Sequence, residues 1–150
     1  MSDLVEKDMT PPSLTIRATP TCLWPPNHKL VVYNFTNGLE VVAKDECDAM
    51  PVVKIMDVTS NQDVSGDGSG KMSPDVSFGD HAMCVRATRA GMDSSDRIYT
   101  VHVQATDAGG NATTKVVTIL VPHDQGEGAK CEKIDKARVV ADGDTACVAE

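Results

Sequence analysis

Carboxylates and amides gather at two places in this chain in patterns that suit a hard cation. Asp45, Glu46 and Asp48 sit together in the run DECDAM, and Asp107 and Asn111 bracket the turn DAGGN. Calcium takes roughly six to eight oxygen ligands. Asp45, Asp48, Asp107 and Asn111 form one candidate set, provided the fold brings the two segments to the same end. The plainer reading is that Asp107 and Asn111 bond the backbone of their own turn, as Asx residues do. The second place is Asp63-x-Ser65-x-Asp67-Gly68, which follows the spacing of an EF-hand calcium loop with glycine sixth. Pro74 stands where the bidentate acid belongs, Asp75 comes one place late, and no flanking helices are evident. Asp63, Ser65, Asp67 and Asp75 therefore form a second candidate calcium set of non-EF geometry, with a solvated Gly-Asp loop as the alternative.

Other chemistry finds less support. The four histidines, His28, His81, His102 and His123, do not converge. His28 opens a strand and His123 follows the last one, so parallel first and last strands would hold them on the order of 30 Å apart. There is no G-x-S-x-G elbow, no H-E-x-x-H and no Gly-rich phosphate loop, so no enzyme is expected and no cofactor beyond calcium. Trp24 and Tyr33 are a thin supply of sugar platforms; Trp24 reads as a core plug and Tyr99 as a tyrosine corner. The net charge of −8 argues against nucleic acid. Apolar runs are too short for a transmembrane helix. The opening MSDLVEKDM is polar, which fits a chain kept inside the cell or an exported one whose leader was replaced by a start methionine.

Five cysteines are many for a cytosolic chain of 150 residues, and an odd number leaves at most two bridges. No C-x-x-C spacing is present. Cys131 and Cys147 flank a short acidic tail and are expected to pair, since a loop of that size gains roughly 3 kcal/mol in the chain-entropy model. Cys22–Cys47 with Cys84 free is one arrangement of the rest, among others that sequence does not fix.

The elements that must position these groups are short strands cut by Gly and Pro. Ile98–Thr106 alternates, with Tyr99, Val101, Val103 and Ala105 on one face; the turn Asp107–Asn111 reverses the chain, and Val116–Val121 returns. Ser13–Ala18, Leu30–Phe35, Leu39–Ala43, Val52–Val58, Val76–Phe78 and Ala82–Thr88 complete the set. In the last of these, alternation predicts Met83, Val85 and Ala87 inside and Cys84, Arg86 and Thr88 outside, with Arg86 forking onto a nearby carboxylate. No convincing amphipathic helix appears. Seven to nine short strands predict an all-β, immunoglobulin-like antiparallel β-sandwich. In that topology Lys44–Met50 shares a pole with Asp107–Asn111, and Thr59–Pro74 shares the other with Arg89–Asp96.

Residues 22 to about 125 resemble a bacterial extracellular immunoglobulin-like module related to the hyalin-repeat group. The likeness rests on LWPPNHKLV (Leu23–Val31), DECDAMPVV (Asp45–Val53), GDGSG (Gly66–Gly70), VRATRAG (Val85–Gly91), RIYT (Arg97–Thr100), TDAGGN (Thr106–Asn111) and VPHDQG (Val121–Gly126). It implies a secreted or surface domain without catalysis, often beside adhesins or hydrolases. Hyalin-type repeats often carry a cysteine in the turn that bridges to the D-x-C loop; Gly109 stands there in this chain, leaving the partner of Cys47 open. The reading divides the chain into an N-terminal arm (1–12), the sandwich (13–125) and an acidic, Cys-containing tail (126–150). The expected role is a non-enzymatic extracellular structural or adhesive module, calcium-binding at the poles and disulfide-linked. The alternatives are a virion or filament subunit or decoration protein, and a glycan-binding module. Partners would be other proteins, further copies of the chain or a surface glycan.

Overall fold

A computed structural model describes residues 10–24, 27–45, 51–61, 75–88, 96–122, 131, 134–141 and 144–148. Among these the chain is all-β, without an α-helix, and forms an antiparallel sandwich of nine strands. These are β1 (Ser13–Ala18), β2 (Leu30–Asn34), β3 (Leu39–Lys44), β4 (Val52–Ser60), β5 (Val76–Phe78), β6 (Ala82–Arg86), β7 (Arg97–Thr106), β8 (Ala112–Val121) and β9 (Val139–Val140). They build three sheets: β4-β7-β8, β5-β6-β2-β9 and the two-stranded β1-β3.

Period-two patterning sets these strands and their facing. On β7 Tyr99, Val101, Val103 and Ala105 are fully buried while the residues between them are partly exposed, as the alternation requires. Val31 and Tyr33 of β2, Leu39 of β3, Ile55 and Val58 of β4, Met83 and Val85 of β6 and Ile119 of β8 meet them in one core. Burying each such aliphatic side chain contributes roughly 1.5–3 kcal/mol. The ladder β7–β8 runs unbroken from Arg97↔Val121 to Thr106↔Ala112. β4 slips register between Ile55 and Asp57 and leaves Met56 as a bulge.

Three expectations need correction here. Cys84, Arg86 and Thr88 do not face solvent: every residue from Ala82 to Thr88 is buried. The reason is a cover that alternation cannot see. The C-terminal segment, expected as a tail outside the sandwich, adds β9 to β2 through Leu30↔Val140 and Val31↔Val139. A 3-10 turn at Thr145–Val148 then lays Cys147 against Cys84 and Leu30, with Val32 and Val140 beside them. The cystines follow from that path. Cys131 does not pair with Cys147; the bridges are Cys22–Cys131 and Cys84–Cys147, separated by 109 and 63 residues. Cys22 is thereby also unavailable to Cys47, which lies outside the described residues. Finally, Leu23, not Trp24, fills the core beside the Pro-rich bend: Leu23 is 0% exposed and Trp24 only half-buried.

Candidate functional site

At the first pole the register Val52↔Thr106 sets the start of β4 beside the end of β7 and its turn. Asp107 is 5% exposed, and its own turn uses its carboxylate. Oδ1 accepts from the backbone N–H groups of Gly109 and Asn111, both at 2.9 Å, and Oδ2 accepts from Asn111 Nδ2 at 3.1 Å. Gly110 supplies the positive φ of 87° that closes the loop. Asp45 is half-buried, and Asp48 lies outside the described residues. Beside the turn a shallow trough runs along the outer faces of β4 and β7, lined by Val52, Lys54, Met56, Gln104, Thr106, Asp107 and Ala108. Val52 and Met56 are about half exposed there.

Near the second pole the described residues hold a buried charge cluster around Asp75. Asp63, Ser65 and Asp67 lie outside the described residues, but Asp75 is placed and is 3% exposed. Its Oδ1 accepts from Arg86 Nε at 3.2 Å and its Oδ2 from Arg97 Nη1 at 2.8 Å, so two guanidinium groups occupy the carboxylate. Arg86 also donates to the His28 carbonyl at 3.0 Å, and Arg97 Nε to Ser60 Oγ at 2.9 Å. The Arg97 guanidinium lies 4.8 Å from the centroid of Tyr99, whose hydroxyl donates to the Arg86 carbonyl at 2.7 Å. Arg86 thus finds the carboxylate its spacing predicted, and Tyr99 anchors a corner, but both do so in the interior. His28, at φ 66°, fixes the bend by donating its N–H to the Ala87 carbonyl and placing Nδ1 2.9 Å from Thr88 Oγ1.

A third cluster, absent from the sequence reading, ties the C-terminal segment to the sandwich. Arg138 is 6% exposed, with its guanidinium carbon 4.5 Å from the Tyr33 centroid. It donates through Nε to the Val32 carbonyl at 3.1 Å and through Nη1 to the Thr19 carbonyl at 2.6 Å. Its Nη2 makes no hydrogen bond among the described residues. Gly38, at φ 100°, is what lets it in, because a Cβ there would collide with Nη2. The Tyr33 hydroxyl donates to the Pro20 carbonyl at 2.7 Å. Burial pushes the phenols of both Tyr33 and Tyr99 well above their usual range, and the neighbouring arginines offset only part of that. The inward position of Tyr33 on β2 was a usable signal; nothing in the tail marks Arg138.

No described group of three His, Cys, Asp or Glu side chains lies in reach of one metal ion. His102 stands half-exposed on β7 and His81 packs its ring edge-on against Phe35. Among the described residues no helix is long and apolar enough to cross a membrane. The two buried clusters tie separate stretches of chain together, Asp75 with Arg86 and Arg97 in one and Arg138 with Tyr33, Val32 and Thr19 in the other. Comparison with protein-family models, with curated proteins and with solved structures returns no match to this chain.

Proposed function

We propose that this chain is a non-enzymatic structural or adhesive module of the immunoglobulin-like, hyalin-repeat kind, working on the outside of a cell. The observation that carries the reading is the pair of cystines, which fasten the C-terminal segment to the sandwich across 109 and 63 residues of chain. Bridges of this sort persist in oxidising compartments. Loops of that length are worth roughly 4–5 kcal/mol each in the chain-entropy model. Further support comes from the placement of β4-β7-β8 opposite β5-β6-β2 and from the Tyr99 hydroxyl on the Arg86 carbonyl, both in keeping with an immunoglobulin-like sandwich. Calcium stabilisation at the poles stays part of this reading only through Asp45, Asp48, Asp63, Ser65 and Asp67, since the carboxylates of Asp75 and Asp107 already accept hydrogen bonds from the protein itself.

The test is surface labelling of intact cells of the organism that makes the protein, with a membrane-impermeant amine reagent. Lys29, Lys44, Lys54 and Lys115 are exposed and available to it. Recovery of the chain in the labelled fraction, running faster on non-reducing than on reducing gels, is the expected result. Recovery only from the interior, with free thiols, sinks the proposal; recovery in purified particles or filaments moves the assignment to an assembly subunit.

A further inference from the structure

The sheet edges of this molecule are not treated alike. β4 carries Lys54 and the Met56 bulge, and its Ile55 N–H is taken by the Asp80 carbonyl at 2.8 Å. At the far end of β8, Leu120 exchanges hydrogen bonds with Thr21 and Leu23, and β5 and β9 are only three and two residues long. Each is a recognised way to blunt an edge. β3 carries none of these devices: it is six regular residues paired with β1 alone, whereas its partner β1 lies beside β8, where Thr113 Oγ1 donates to the Pro12 carbonyl at 2.6 Å.

The polarity of that edge follows from one bond. Thr19 N–H donates to the Gly38 carbonyl at 2.8 Å, one rung beyond Ala18↔Leu39. Antiparallel alternation then turns the N–H and C=O groups of Glu40, Val42 and Lys44 toward β1, and those of Val41 and Ala43 outward. Among the described residues nothing hydrogen-bonds those outward groups. The side chains of Glu40, Val42 and Lys44 share the exposed face, with Val42 47% exposed.

We infer that β3 is a self-association edge, on which β3 of a second copy of this chain adds antiparallel about a two-fold axis at Val42. The charges decide the occupant. Pairing about that axis sets Val42 against Val42 and puts Glu40 of each copy directly opposite Lys44 of the other, a self-complementary arrangement that charges of one sign would forbid. Val41 and Ala43 of the two copies then exchange backbone hydrogen bonds. Arg17 on β1, 3.7 Å from Glu40, extends the row so that positive, negative and positive groups alternate across the joint. The product is a continuous four-stranded sheet, β1-β3-β3-β1. This inference does not rest on the extracellular reading, and neither failure entails the other.

Sedimentation velocity of the oxidised protein over a wide concentration range tests it. A monomer–dimer equilibrium is expected. E40K and K44E should each raise the dissociation constant about tenfold or more, since each replaces two attractive pairs by two repulsive ones. An equimolar mixture of the two variants should recover dimerisation, as one strand then carries only positive and the other only negative charge at these positions. Circular dichroism and melting of both variants should match the parent, because the positions are exposed. A chain that stays monomeric throughout, or a dimer that both single variants leave intact, overturns the inference.

Discussion

Two buried arginines of this sandwich stack on tyrosines, yet they are neutralised in opposite ways. Arg97, over Tyr99, shares the carboxylate of Asp75 with Arg86. Arg138, over Tyr33, meets no carboxylate among the described residues and rests on the carbonyls of Val32 and Thr19. The first cluster is an ionic bond between parts of one sandwich; the second is a latch between the sandwich and its C-terminal segment. A buried carboxylate is indispensable to cations that cannot leave. A latch held by carbonyl dipoles has less to lose, because its cation can swing out to water with the segment that carries it.

This contrast can be broken by substitution. Asp75→Asn should cost the most, roughly 3–5 kcal/mol of unfolding free energy by urea titration, because it strands two guanidinium groups in the interior. Gly38→Ala should come next, at roughly 2–3 kcal/mol, combining the strain of a side chain at positive φ with displacement of the Arg138 guanidinium. Arg138→Met should lose only about 1–2 kcal/mol, from the two hydrogen bonds to carbonyls. If Arg138→Met proves as damaging as Asp75→Asn, the distinction between bond and latch fails. The double variant G38A/R138M sharpens the point: its loss should fall short of the sum of the single losses, since both remove the same guanidinium contact.

The smallest difference between the clusters should appear in alkali. Both tyrosines of the chain are held above their usual value near 10, by burial first. Each folded-state hydroxyl keeps its proton where the unfolded chain would release it, so stability is complete below that value and falls as the pH rises above it. Phenolate absorbance should therefore stay silent past pH 10 and then rise together with the loss of near-ultraviolet dichroism. Two separate steps, one of them before unfolding, would show that one ring is open to solvent.

Much of the frame was legible because its signals are local. The alternation on β7, the DAGGN turn and the β-branched return need only neighbours in sequence, and β1 and β5 coincide with their expected bounds. What failed depended on chain arriving from far away. β6 alternates like a half-buried strand, but its outer face is closed by Cys147 from the far end of the chain. The arginine partners of Asp75 were likewise hidden, because an isolated carboxylate suits a metal and an arginine equally well. Arg86 and Arg97, 11 and 22 residues further on, both reach it. Cysteine pairing followed the same rule, since the nearest partner in sequence was not the nearest in space.

The Cys22–Cys131 bridge has a mechanical consequence. A pull applied to the two ends of the chain enters the sandwich at Cys22 and leaves it at Cys131 through a covalent bond, so the strands between them carry almost no load. What the bridge does not bypass is β1 on the N-terminal side and the run between Cys131 and Cys147, which carries β9 and the Arg138 latch, and only these can pay out. Under tension the chain from Cys22 to Cys131 is thus a rigid link, with give confined to the segments on either side of it.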